Sequence, residues 1–234
     1  MDISNWWRQL WSARSGPIGS EKAPRRWVLV DVESSGLDAR RDRLLAIAAC
    51  AVHFEQPHTD PHAWARPQIV LADSFEVVLR QGEDQARAVD KQNILIHGIG
   101  VGTQRTGVDS VAALSAWRDY VADSPLVAYH SDFDQTMIDR ACKQHLGQVI
   151  RNPWLDLEPL AAVLHQDPRR WPLDHWLDRY QIHCLTRHQA AADTLATAQL
   201  LLRLWPMVPE PVRRAGFAGV RDHAAGHRFI AGRH

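Results

Sequence analysis

The chain has 234 residues, with 27 Lys+Arg set against 27 Asp+Glu. That length supports one sizeable core, and zero net charge disfavours capture of duplex DNA by bulk charge alone. The longest apolar run, Leu44 to Val52, has nine residues, against the ~20 that a membrane-spanning helix needs. No basic-then-apolar leader opens the sequence, and Cys50, Cys142 and Cys184 are scattered without a CxxC pair. The expectation is a cytoplasmic chain with no disulfide scaffold.

Residues 1–24 read as an N-terminal appendage. Trp6, Trp7, Leu10 and Trp11 fall at helical spacing before Gly16, Pro17 and Gly19 break the pattern. This is either a short helix packed on its own domain or an aromatic stripe for a protein partner; periodicity does not separate the two. From Trp27 the texture changes. Trp27-Val28-Leu29-Val30-Asp31 suits a central strand, and Leu44–Phe54 and Ile69–Leu79 are further β-rich runs, predicting a three-stranded antiparallel meander. Val111, Leu114, Trp117 and Val121 mark a helix, Leu126–Tyr129 a short strand, and Ile138–His145 a second helix. Pro153-Trp154-Leu155 is read as a fifth strand, with helical spacing in Leu157–Leu164 and Ala190–Leu204. The fold class is therefore α/β: a mixed five-stranded sheet, meander first and then alternating helices and strands, flanked by helices. Residues 25–205 form the globular domain. Periodicity is lost from Pro206, and residues 206–234 are read as a basic, solvated C-terminal tail, with contact to a nucleic-acid backbone as the alternative.

Three clusters carry chemistry. The first strand runs Val30-Asp31-Val32-Glu33-Ser34-Ser35-Gly36-Leu37. Residues i and i+2 of a strand share a face, so Asp31 and Glu33 project together, and two such carboxylates stay ionised most readily with a cation between them. The second cluster is Tyr129-His130-Ser131-Asp132-Phe133-Asp134, where an apolar strand enters a polar turn and then a helix. Asp132 reads as a helix cap. Asp134 lies one turn further in, at the carboxyl edge of the strand where ligand sites collect. The third is Arg187-His188-Gln189-Ala190-Ala191-Ala192-Asp193. Five helical residues turn through about 500°, so His188 and Asp193 cannot share one face of a continuous helix. If both serve one site, Asp193 is helical and His188 precedes it in a loop.

Together these clusters resemble, in order and spacing, the three motifs of the DEDDh 3′–5′ exonucleases, the DNA polymerase III epsilon-like group. Asp31-Val32-Glu33-Ser34-Ser35-Gly36-Leu37 matches the first motif, with serines in place of the frequent Thr-Thr. His130-Ser131-Asp132-Phe133-Asp134 matches His-Asn-x-x-Phe-Asp in part; it is one residue shorter, with Ser131 in place of Asn. His188 and Asp193 match His-x-x-x-x-Asp, and His97-Gly98-Ile99 matches a recurring segment between the first two motifs. Gln189 stands where a sister subgroup has tyrosine, which supports the histidine form.

The resemblance implies a ribonuclease H-like fold and a metal-dependent 3′–5′ exonuclease that releases nucleoside monophosphates from single-stranded or frayed 3′ ends, DNA favoured. It implies two Mg²⁺ or Mn²⁺ ions held by Asp31, Glu33, Asp134 and Asp193, and hard carboxylate oxygens suit those metals. It implies His188 as general base, Leu37 as a wedge against the terminal base, Ser34, Ser35 and Gly36 as contacts to the 3′ end, and His97 and Phe133 as lining for the terminal nucleotide. The alternatives are an oligoribonuclease or RNA-trimming member of the same family, and a catalytically idle binding or assembly module.

Overall fold

The computed structural model describes residues 25–54, 66–83, 94, 98–184 and 186–228. The expectations for residues 1–24 and for His97 lie outside the described residues. Strand β1, Arg26–Ser34, is central. It pairs antiparallel with β2, Leu44–Phe54, which pairs antiparallel with β3, Pro67–Val78. On its other side β1 runs parallel to β4, Leu126–Ala128, and β4 runs parallel to β5, Trp154–Asp156. The sheet order is β3-β2-β1-β4-β5, the mixed five-stranded sheet that the hydrophobic pattern predicts. The described residues include eight α-helices: α1 Val101–Thr106, α2 Ser110–Val121, α3 Ser131–Leu146, α4 Leu157–His165, α5 Leu173–Arg179, α6 Ala190–Leu204, α7 Glu210–Arg214 and α8 Gly216–Ala224. None of them is long and apolar enough to cross a membrane.

Alternation along β1 sorts its residues between two cores. Val28, Val30 and Val32 pack with Leu114 and Trp117 of α2 and Met137 and Ile138 of α3. Trp27 and Leu29 face the opposite way, onto Leu157 and Leu160 of α4 and Ala198 and Leu201 of α6. Asp31 and Glu33 continue the Trp27–Leu29 row, so the period of two directs both carboxylates to the α6 face. Strand β2 is buried along almost its whole length and rich in alanine, which lets α6 lie close over it. At the far end of the sheet the buried Asp73 is satisfied by Arg26, at 2.8 and 2.9 Å, and by His53 at 2.8 Å. A buried carboxylate needs such partners.

The expectation for the C-terminal segment is corrected. Residues beyond Pro206 are not a solvated tail through 228: α8 buries Phe217, Val220 and Ala224 against Trp27, Phe54 and Trp205. The Trp27 ring meets Phe54, Phe217 and Trp205 at centroid distances of 4.5, 4.9 and 5.7 Å. Helices α1 and α5 also lie where no helix is predicted. The three cysteines are free thiols: Cys50 and Cys142 are buried and Cys184 is half-buried.

Candidate active site

Strand β1 ends in an irregular step: the register with β2 shifts between Glu33 and Ser34. Such bulges end pairing and re-aim side chains. Opposite Asp31 stands Ala48 of β2. The Thr194 hydroxyl of α6 donates to the Ala48 carbonyl at 3.2 Å, which docks the first turn of α6 beside Asp31. Asp193, the neighbouring residue, is thereby carried to the same edge, buried at 6% exposure.

Asp134 arrives from the opposite layer, on the first turn of α3. It is 5% exposed, and its Oδ1 accepts from the Val32 backbone N–H at 3.1 Å, which fixes the carboxylate between Asp31 and Glu33 along the chain. The shortened second motif makes a tight turn: His130, the N-cap of α3, adopts a left-handed backbone with φ 62°. That conformation costs a non-glycine residue about 1–3 kcal/mol. The His130 N–H is held by Asp156 Oδ1 at 2.9 Å, and the same carboxylate caps α4 through the Glu158 N–H at 3.0 Å. Asp132 does not cap the helix as expected; it is exposed in the first turn, where the helix dipole favours an acid.

His188 also takes a left-handed backbone, φ 63°, in the loop before α6. Its N–H donates to Asp193 Oδ2 at 2.9 Å, while its side chain stays exposed. Asp193 is therefore helical and His188 lies in the preceding loop, as their spacing requires. Asp193 Oδ1 also faces the Cys184 thiol at 3.5 Å and forms an ion pair with Arg187. Arg187 is anchored in turn by Asp174 of α5 at 2.5 Å.

The four acids lie within electrostatic reach of one another. Burial raises the Asp31 carboxyl well above its usual range, and the charges of Asp134, Glu33 and Asp193 raise it further. Glu33 is pushed up to about 8, chiefly by burial and then by Asp193, with the Ala190 N–H and Arg187 pulling it back. Asp134 is raised by burial against the opposing pull of its backbone hydrogen bonds. Glu33 Oε1 is buried with no hydrogen-bond partner. Among the described residues no three His, Cys, Asp or Glu side chains are closed into a ready ligand cage. Mutual repulsion opposes such closure, and the unpaired Oε1 beside three further carboxylates fits a divalent cation better than it fits water.

The other sequence candidates flank this edge. Ser34 donates to the Gly36 carbonyl at 2.5 Å, and Gly36 lies against the Asp42 carboxylate with no room for a Cβ. Leu37 is 95% exposed at the tip of the β1–β2 loop. Phe133 is half-buried and packs on the α2–α3 core. Several residues of the rim were not singled out from sequence. Arg187 sits inside the third motif, but its partner Asp174 is thirteen positions away across a loop. Glu158, 2% exposed, is held by Arg170 at 2.7 and 3.0 Å, a pairing with no signature in periodicity.

Residues 28–201 match the RNase T exonuclease family. The chain is 26% identical over 179 residues to the PolC-type DNA polymerase III of Bacillus subtilis, covering 76% of this chain and 11% of the relative. It is 23% identical over 182 residues to the PolC-type enzyme of Thermotoga maritima, covering 78% of this chain and 12% of the relative. The chain thus spans about a tenth of the polymerases it matches. Among solved structures it resembles E. coli Exonuclease I in complex with a dT13 oligonucleotide, with TM-score 0.59, 18% identity, and coverage of 80% of this chain and 42% of the other. It also resembles a 3′-exonuclease that recognises the histone mRNA stem-loop, with TM-score 0.63, 13% identity, and coverage of 81% and 85%.

Proposed function

Because the chain belongs to the RNase T family of exonucleases and has a ribonuclease H-like fold, we propose that it removes nucleotides one at a time from single-stranded or frayed 3′ ends, DNA favoured. The observation that carries this reading is the meeting of Asp31, Glu33, Asp134 and Asp193 at one sheet edge, with Glu33 Oε1 buried and unpaired. These four residues would hold Mg²⁺ or Mn²⁺. Bound there, a pair of such ions supplies charge that activates a water and stabilises the leaving oxygen.

The rest is the work of this chain's own side chains. The attacking water needs a proton acceptor, and His188, exposed in the loop before α6 and tied by its N–H to Asp193, would supply it. An imidazole nitrogen with a free lone pair can act as that acceptor. The water oxygen then bonds to phosphorus, the P–O3′ bond breaks, and a nucleoside 5′-monophosphate leaves behind a new 3′ hydroxyl. The Ser34–Gly36 backbone would hold the 3′ end, His97 and Phe133 would line the terminal nucleotide's pocket, and Leu37 would press on the terminal base. The relatedness to PolC-type DNA polymerases supports DNA as the substrate. The RNA-trimming reading rests on the likeness to the histone mRNA 3′-exonuclease, which spans 85% of that chain.

The test is digestion of end-labelled single-stranded DNA, duplex DNA and RNA in Mg²⁺, Mn²⁺ or EDTA. The expected result is metal-dependent release of monophosphates from the 3′ end, abolished by Asp31→Ala or Asp134→Ala in a folded domain. Wild-type rates in either variant, or in EDTA, would overturn the assignment. A faster rate on RNA than on DNA would select the alternative.

A further inference from the structure

The loop that carries Leu37 is stiffened by its own polar groups. The Asp42 carboxylate accepts from the Asp38 N–H at 2.8 Å and from the Ser35 hydroxyl at 3.3 Å. Ser35 Oγ accepts from the Arg43 N–H at 2.9 Å, and the backbone closes with Ser35 N–H to the Arg43 carbonyl at 3.0 Å. These bonds are internal to the loop and extend the β1–β2 pairing, while Ala39 packs on the α2–α3 core. The polar tie to the rest of the domain comes from α3. Arg140, half-buried, donates from Nη1 to the Ala39 carbonyl at 2.6 Å and from Nη2 to the Asp42 carbonyl. Both acceptors are neutral carbonyls, so the guanidinium fork holds backbone and not an opposing charge. The helix that supplies Arg140 also supplies Asp134.

We infer that Arg140 is a positioning residue: it moors the 35–43 loop to the helix bearing Asp134, and so holds Leu37 at a fixed distance from the four carboxylates. This rests on the reading of Leu37 as the wedge on the terminal base. A wedge matters most where a base pair must be parted, so a loosened mooring should penalise paired ends above single-stranded ones. An arginine that grips the loop by its carbonyls is suited to this, because it leaves the exposed Leu37 side chain uncovered.

The experiment compares wild type, Arg140→Met, Arg140→Lys, Leu37→Ala and the Arg140→Met/Leu37→Ala pair on a single-stranded 3′ end and on an A·T-paired duplex end, in Mn²⁺. Met keeps the stem and removes the donors; Lys restores one of them. The expected result for Arg140→Met is a fall of about tenfold in kcat/KM on the paired end relative to the single-stranded one, carried mainly by KM, the scale of one charge-assisted hydrogen bond. Lys should recover part of it, and Leu37→Ala should add nothing to Arg140→Met, because both act through one contact. An unchanged paired-to-unpaired ratio in Arg140→Met overturns the inference. So does an equal loss on both substrates with a lowered melting temperature, which marks a general structural role. Failure of the underlying reading looks different: wild type would show no metal-dependent release from 3′ ends, or Leu37→Ala would leave the ratio as it was.

Discussion

Replacing Glu33 with glutamine should make the metal-free protein more stable in a way that depends on pH. Glu33 has an ordinary carboxyl pKa of 4.5 that burial and the Asp193 charge raise to about 8 in the fold. An acid whose pKa is raised by folding binds its proton more tightly in the native state. It carries no penalty below about 4.5, a growing penalty as pH rises towards 8, and the full penalty above 8. At about 1.4 kcal/mol per unit, the unscreened difference is on the order of 5 kcal/mol. Glu33 is only half-buried, and solvent screening reduces this to roughly 2 kcal/mol. For a domain of this size ~2 kcal/mol is a rise of about 4–8 °C in Tm. The assay is thermal melting in EDTA at pH 4.5 and pH 9, wild type against Glu33→Gln. The variant should melt together with wild type at the lower pH and above it at the higher one. Mn²⁺ should then raise the wild-type Tm and leave the variant's nearly unmoved. An equal gain at both pH values, or a loss at pH 9, would refute the claim that folding penalises the charged Glu33 carboxylate.

His188→Ala should slow turnover by ~10²–10⁴-fold while leaving Mn²⁺ affinity by calorimetry largely intact, and a variant as fast as wild type would remove His188 from the catalytic set. A circular single strand should resist digestion where the linear strand is consumed, as gel analysis of the two would record; comparable rates would indicate an endonuclease. Phe217→Ala should destabilise the domain by about 3–5 kcal/mol in urea melts, because the ring is buried against Trp27. A negligible loss would mean that α8 is not part of the core.

The residues that read most clearly from sequence are those whose geometry is local. Alternation along Trp27–Glu33 places both acids on one face, and the same alternation sends Val28, Val30 and Val32 to the other. The incompatibility of His188 and Asp193 with one continuous helix is likewise a local fact, borne out by a left-handed residue before α6. What escaped the sequence depends on partners far along the chain. Helix α8 has Phe217, Val220 and Ala224 at helical spacing, yet Gly216 and Gly219 dilute a nine-residue pattern. Only the pocket made by Trp27, Phe54 and Trp205 gives it a buried face. Arg187 holding Asp193 and Asp174, and Arg140 holding the Leu37 loop, are products of tertiary proximity, so no spacing rule reports them.

The position of β1 sets the order in which this molecule can become competent. Its neighbours in the sheet come from both sides in sequence, β2 directly after it and β4 much later, and its Trp27 is covered by Phe217 near the last described residues. Contacts of such long sequence separation form slowly, since loop closure must be met before they stabilise anything. A chain emerging from the ribosome would expose Asp31 and Glu33 long before Asp193 exists to join them. The four acids are therefore gathered only when synthesis has passed α6.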